Sequence, residues 1–274
     1  MPSTPDIPPA ALADAAWTPP RLVAFDLDGT LAPSKSPMPE PMAASLCALL
    51  DVVPVCIISG GQIGQFHEQV LSRLKASASQ LGRLHLMPTC GTRYYRRDPD
   101  AGEWVLVYDN DLTADQVERA CAVVEAEARR LGFWEQHTWG PALEDRGGQI
   151  TYSALGQRAP LDAKQAWDPT GEKKGRLRDA VAARLPDLEV RSGGSTSVDI
   201  TRKGIDKAYG MSRLAEQTGI PLERMLFVGD RLEPDGNDYP VKALGVPCRA
   251  VDTWEDTACL VTELAARLGA KDRS

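Results

Sequence analysis

Short apolar runs alternate with helix-periodic stretches near both ends of the chain, and the middle keeps a different rhythm. Arg21 to Leu27 is an apolar run closing in Asp26-Leu27-Asp28-Gly29-Thr30, a strand followed by a turn. Residues 42–50 have helical spacing, Val52 to Ile58 is a second β-branched run ending in Ser59-Gly60-Gly61, and residues 63–75 are helical again. Such alternation predicts a parallel sheet with helical crossovers. In the middle, Glu103 to Tyr108 reads as a strand after a turn at 99–102. Residues 113–131 read as a helix opened by a Thr113/Gln116 capping box, striped by Val117, Ala120, Cys121, Val124 and Leu131, and stopped by Gly132. Gly147-Gly148 between 142–146 and 149–154 signals a hairpin. Residues 175–185 read as a polar-faced helix and 197–201 as a strand. From Lys207 the first rhythm returns: a helix over 207–218 ended by Gly219, a buried strand over 224–228 running into Gly229-Asp230, and helices at 241–244 and 256–268 around a strand at 248–251. The expectation is an α/β core built from 21–91 and 203–274, an inserted α+β domain over 92–202, and a proline-rich leader over 1–20.

Composition adjusts this picture only slightly. Of 274 residues, 43% are hydrophobic and 25% charged, which excludes a disordered, collagen-like or coiled-coil chain. A net charge of −7 argues against nucleic acid or an anionic membrane surface as the main partner. An anionic substrate would have to be drawn in by a local basic pocket or a metal. No stretch nears the ~20 apolar residues of a membrane span. Residues 1–20 lack the basic and apolar regions of a signal peptide. Six cysteines form no CxxC pair and read as buried thiols, and three scattered histidines argue against a zinc site. The cytoplasm is the expected setting.

Three acids fall where strands end: Asp26, Asp28 and Asp230. Ligands of α/β sheets bind at that edge. Converging carboxylates repel unless a cation joins them, and magnesium is a hard, oxygen-seeking one. The turn at Asp28-Gly29 lets its two acids take different tasks, one attacking phosphorus and the other handling the leaving-group proton. Each feature has a plainer reading. Asp-Gly can be only a turn, Ser59 a helix N-cap, Lys207 a solvated helix lysine with Lys203 as a competitor, and Asn237-Asp238 a turn.

The segment FDLDGTL (residues 25–31) resembles the first motif of the haloacid dehalogenase superfamily. IISGG (57–61), GIDKAYG (204–210) and VGDRLEPDGND (228–238) resemble the other three motifs, in family order. The resemblance implies a Rossmann-like parallel core with an inserted α+β cap. Asp26 would be the nucleophile and Asp28 the general acid/base. Ser59 and Gly60 would hold the phosphate, and Lys207 would offset its charge. Magnesium would lie on Asp26, the main-chain carbonyl of Asp28, and Asp230, with Asn237 and Asp238 behind them. The inserted domain resembles the large cap of the branch that includes Cof-type sugar phosphatases and α-phosphomannomutases. SGGSTSVDITRKGIDK (192–207) and EDRGGQITYSALG (144–156) are similar to mutase segments, which implies substrate contacts from Ser197, Asp199 and Arg146. Two further arginines of the mutase pattern fall on Gln157 and Lys164, with Arg158 adjacent; a solvated surface is the plainer reading of Arg146, Arg158 and Lys164. A thinned arginine set favours a phosphatase of a small phosphorylated sugar or polyol over a phosphomannomutase-type isomerase, since Lys and Gln do not replace a bidentate Arg. A non-catalytic sugar-phosphate-binding protein is a third alternative, which the presence of both Asp26 and Asp28 opposes. The resemblance also raises a homodimer through the cap.

Overall fold

The computed structural model describes residues 18–194 and 196–271; most of the expected leader lies outside them. The chain divides into two compact units, one formed by residues up to Asp109 together with those from Asp206, the other by Asn110–Ile205. Among the described residues no helix is long and apolar enough to cross a membrane.

The first unit holds a seven-stranded sheet. With strands numbered along the whole chain, these are β1 (Leu22–Phe25), β2 (Val55–Ile58), β3 (Leu84–Met87), β4 (Arg93–Arg97), β5 (Trp104–Asp109), β10 (Met225–Gly229) and β11 (Cys248–Ala250), in the order β11-β10-β1-β2-β3-β4-β5. Pairing is parallel from β11 to β3. β1, β2, β3 and β10 are buried at every position, which is why β1, β2 and β10 read as unbroken apolar runs. Alternate residues serve opposite faces. Val23, Phe25, Val55, Ile57, Leu226 and Val228 join the cluster under α1 (Glu40–Leu50) and α9 (Trp254–Lys271). Leu22, Ala24, Cys56, Ile58, Met225 and Phe227 join the cluster under α7 (Lys207–Thr218) and α8 (Tyr239–Ala243). β1 lies between β2 and β10, so the first and last parts of the chain meet at the centre of the sheet.

The expected start of the inserted domain at 92 is corrected by β4 and β5. They continue the first sheet in antiparallel sense, β4 on β3 and β5 on β4. A hairpin rhythm looks the same whichever sheet it joins; here it is tied in by His85 on β3, whose Nδ1 lies 2.7 Å from the Tyr94 hydroxyl. At the other boundary, residues 203–205 belong to the second unit. Of the six cysteines, expected as buried thiols, only Cys56 and Cys248 are buried; Cys47, Cys90 and Cys121 are partly exposed and Cys259 is exposed. The helical stretch expected over 63–75 is α2 (Ile63–Phe66) running directly into a π-helical turn (His67–Leu71), followed by α3 (Ala78–Gly82).

The second unit packs α4 (Ala114–Leu131) and α6 (Glu172–Arg184) on one face of an antiparallel sheet. Its strands are β6 (Leu143–Asp145), β7 (Gln149–Ser153), β8 (Leu188–Ser192) and β9 (Ser197–Arg202), ordered β6-β7-β9-β8, with the short α5 (Leu161–Trp167) between β7 and α6. The Thr113/Gln116 capping box forms, and Gly132 takes the left-handed C-terminal conformation at φ 73°. Ile150, Tyr152, Val198 and Ile200 face the helices. By the alternation of a strand, Gln149, Thr151, Ser153, Ser197 and Asp199 face the other way.

Candidate active site

Asp26 and Asp230 sit at the carboxyl ends of the adjacent strands β1 and β10. Asp26 N–H donates to Val228 O at 3.0 Å, carrying the ladder one residue past β1. The chain then turns sharply, with Leu31 N–H on Leu27 O at 2.9 Å and Gly29 N–H on Ala32 O at 2.8 Å. Gly29 has φ +91°, and a Cβ there would lie 2.4 Å from Asp230 Oδ2. Only glycine satisfies both the backbone conformation and the close approach. Thr30 Oγ1 donates to Asp230 Oδ1 at 3.3 Å from the same turn. Beyond β10, Arg231 N–H donates to Asp238 Oδ2 and Asp238 N–H to Arg231 O, both at 3.1 Å, closing a loop that returns Asp238 beside Asp230.

Lys207, first residue of α7, is buried between two of these acids. Its Nζ lies 2.6 Å from Asp26 Oδ1 and 2.6 Å from Asp238 Oδ1. Asp206 caps the helix, its carboxylate accepting from Tyr209 N–H at 3.0 Å, and so fixes where Lys207 begins. Between the two candidate lysines it is Lys207 that pairs with Asp26, whereas Lys203 is exposed. Burial pushes the Asp26 carboxyl up to about 7, the Lys207 ammonium opposing and Asp238 adding to the rise. Asp230 is raised by burial and then by Asp238. Burial works to lower the Lys207 pKa, but its two carboxylate partners overcome it and hold the ammonium above its ordinary range.

Asp26, Asp230 and Asp238 each present a carboxylate oxygen, and the three lie within 4.8 Å of one another. Three carboxylates around one ammonium leave excess negative charge in a poorly hydrated pocket. An all-oxygen donor set with raised carboxyl pKa values fits a hard divalent cation and does not fit zinc or copper. Asp238 has both oxygens engaged, one by Lys207 and one by Arg231 N–H. The Asp28 carboxylate, expected as a general acid/base with only the main-chain carbonyl of that residue expected at the metal, lies outside the cluster. It accepts from Lys35 N–H at 2.6 Å, from Gln65 Nε2 at 2.9 Å and from Gln69 Nε2 at 3.3 Å. Asn237 is exposed.

Ser59 is buried at the end of β2, its Oγ accepting from Gly61 N–H at 3.2 Å. Its turn is laced to the segment after β3: Ser59 N–H to Met87 O at 3.2 Å, Thr89 N–H to Gly61 O and Cys90 N–H to Ser59 O, both at 2.9 Å. Thr89, Cys90 and Gly91 all have positive φ, at 49°, 55° and 84°. Two consecutive non-glycine residues in that region are strained and persist because the surroundings hold them. α7 supplies part of that hold: a Cβ at Gly91 would lie 2.5 Å from Gly210 Cα, and one at Gly210 would lie 2.8 Å from Cys90 O. This close packing sets the height of Lys207 over β1.

The remaining expected residues lie in the second unit, on or beside its polar sheet face. Asp199 Oδ1 accepts from Thr151 Oγ1 at 2.7 Å, and Ser197 Oγ lies 2.9 Å from Ser153 Oγ. Arg146 is ion-paired with Glu144 at 2.9 Å at the hairpin. Gln157 Nε2 donates to Ser153 Oγ at 2.7 Å, and Lys164 Nζ to Gln157 O at 2.9 Å. Arg158 is exposed, with its N–H on Trp139 O at 3.0 Å.

Comparison with known proteins agrees with this arrangement. Residues 163–240 match the family of haloacid dehalogenase-like hydrolases. A phosphomannomutase from Saccharomyces cerevisiae is 26% identical over 259 residues, covering 90% of this chain and 94% of the relative. Among solved structures, an IMP-nucleotidase from Plasmodium falciparum superposes with TM-score 0.67 at 15% identity, covering 93% of this chain and 70% of the other. A haloacid dehalogenase-like hydrolase from Bacteroides thetaiotaomicron does so with TM-score 0.57 at 17% identity, covering 89% and 99%. In its four motifs taken in order, in the parallel core with β1 between β10 and β2, and in these relatives, the chain resembles enzymes of the haloacid dehalogenase superfamily.

Proposed function

We propose that the chain is a magnesium-dependent phosphatase of small phosphorylated sugars or polyols, acting through an aspartyl-phosphate on Asp26. The observation that carries this is the division between two acids two residues apart. Asp26 is buried against Lys207, whereas Asp28 is turned outward and held by side-chain amides. Two carboxylates in different environments suit two roles. Asp26 attacks phosphorus as the bond to the leaving oxygen breaks, and Asp28 gives that oxygen its proton. Asp28 then takes a proton from the water that hydrolyses the acyl phosphate, which frees Asp26 and phosphate and restores Asp28. Ser59 Oγ and the N–H of Gly60 hold phosphate oxygens, and Lys207 keeps Asp26 charged and oriented. Asp26, Asp230 and the Asp28 carbonyl would hold magnesium, backed by Asp238 and Asn237; when bound it supplies neutralisation of charge on the phosphoryl group.

Hydrolysis is favoured over isomerisation by positions 157 and 164. A mutase must grip a second phosphate, and here the positions that match two of its arginines are Gln157, which donates to Ser153 Oγ, and Lys164, which donates to Gln157 O. Neither offers the fork of an arginine. The mutase reading is supported by phosphomannomutase relatives, the yeast one matching nearly end to end, and by the mutase-like segments 144–156 and 192–207. Incubation with mannose 1-phosphate and magnesium, with and without glucose 1,6-bisphosphate, decides between them. Rapid phosphate release without bisphosphate is the expected result. Bisphosphate-dependent isomerisation with little release would overturn the hydrolytic reading. IMP and polyol phosphates in the same panel test the substrate class.

A further inference from the structure

Asp28 sits on a tight turn, where an unsupported carboxylate would swing freely, yet it is held from three directions by groups outside the four motifs. Gln65 Nε2 donates to its Oδ2 at 2.9 Å, and Lys35 N–H at 2.6 Å and Gln69 Nε2 at 3.3 Å reach its Oδ1. From this geometry we propose that Gln65, backed by Gln69, is a positioning residue that aims the Asp28 carboxylate at the leaving oxygen. The inference rests on the hydrolytic reading above.

Several features of the fold converge on this hold. Gln69 is buried, and its Nε2 also donates to Ser36 O at 2.7 Å while its main-chain O accepts from Met38 N–H at 2.8 Å. One glutamine thus ties the 33–38 loop and Asp28 together. Gln69 Oε1 is buried with no partner, a cost that is kept although an apolar side chain would remove it. Lys35, whose N–H reaches Asp28, has φ +54°, a strained conformation for lysine. The helix bearing both glutamines contains the π-helical turn, with Ser72 N–H on His67 O at 2.9 Å in the i→i+5 pattern. Such turns concentrate at functional sites. Finally, a Cβ on Gly61 would lie 2.0 Å from Gln65 Oε1, so the second glycine after Ser59 leaves the room in which the Gln65 amide reaches Asp28.

Leaving-group chemistry tests the proposal. A sugar alkoxide leaves poorly without a proton, whereas 4-nitrophenolate leaves without one, and kcat/KM reports the step in which that bond breaks. Gln65→Leu and Gln69→Leu are compared with wild type on the best sugar phosphate of the panel and on 4-nitrophenyl phosphate, with thermal unfolding measured alongside. Gln65 is only half-buried, so Gln65→Leu keeps the test alive if Gln69→Leu folds poorly. For Gln65→Leu we expect kcat/KM to fall about tenfold or more on the sugar phosphate and less than about twofold on the aryl ester. Equal losses on both substrates, or no loss on either, would overturn the proposal. A wild-type chain that releases phosphate from neither would overturn the hydrolytic reading and the proposal with it.

Discussion

Lys207 Nζ lies 2.6 Å from Asp238 Oδ1, with both side chains buried and the same nitrogen equally close to Asp26. Removing the ammonium strands two carboxylates in a low-dielectric pocket. Lys207→Met should therefore destabilise the fold by about 3–5 kcal/mol, as breaking a buried pair does. Urea unfolding checks this. Adding Asp238→Asn to Lys207→Met should recover part of the stability and none of the turnover. A double variant no more stable than Lys207→Met would contradict the pairing.

Asp26→Asn keeps the shape of the side chain and removes one of three clustered charges. Phosphate release should fall by at least about 10³-fold, in the range lost with other catalytic nucleophiles. Circular dichroism and thermal unfolding should stay close to wild type. Retained turnover would exclude Asp26 as the nucleophile.

A cation that binds only the folded state raises its stability by mass action, by about 2.7 kcal/mol at a hundred times its dissociation constant. Magnesium should raise the thermal midpoint of the wild-type chain, and EDTA should abolish turnover reversibly. In Asp230→Asn the magnesium-dependent rise should shrink or vanish. An equal rise in both proteins would place the cation elsewhere.

His85 offers a pH dependence separate from the cluster of Asp26, Asp230 and Asp238. Burial, with Arg96 adding to it, lowers its pKa from 6.5 to about 3. The folded value lies below the unfolded one, so the unfolded chain takes up the proton first as pH falls. Stability from this group is complete above about pH 6.5 and is lost progressively down to about pH 3. At pH 5 the loss amounts to about 2 kcal/mol. His85→Gln can keep a hydrogen bond to Tyr94 without titrating. Denaturant unfolding at pH 7 and pH 5 should show the wild-type chain losing about that much more than the variant.

Glycine inside a helix ordinarily costs about 1 kcal/mol relative to alanine, so Gly210→Ala would be stabilising in isolation. Here the added Cβ would meet Ile58 Cδ1 at 2.3 Å and Cys90 O at 2.8 Å. The sign should reverse, with a lowered thermal midpoint and weakened turnover as α7 and Lys207 are pushed off the sheet. A raised midpoint would show that the Thr89–Gly91 segment yields instead.

Local signals were the legible ones. The α4 capping box, the hairpin at Gly147-Gly148 and the limits of α7 depend on neighbouring residues and form as the sequence implies. Asp26, Ser59, Lys207 and Asp230 stood out because each follows a strand or opens a helix at fixed motif positions. What escaped depends on distant partners. β3 has His85 inside its four residues, which breaks the apolar run that marks β1 and β2, and β4 and β5 carry nothing that says which sheet they join. Gln65 and Gln69 look like ordinary helix residues until the turn bearing Asp28 is laid against them. Their spacing of four, directly after the Ser59 motif, was the one available sign.

The central place of β1 has a consequence for how the protein is made. Phe25 pairs with Val228, about 200 residues later in synthesis. At ~5–20 residues per second, on the order of 10–40 s separate emergence of the two strands. During that interval the Leu22–Phe25 edge has no β10 to cover it, and it is wholly apolar in a finished chain where every one of its residues is buried. Such an edge is a template for pairing with other chains. A chain whose synthesis stops before Met225 therefore carries Asp26 but leaves the Leu22–Phe25 edge bare, a species suited to chaperone capture or aggregation.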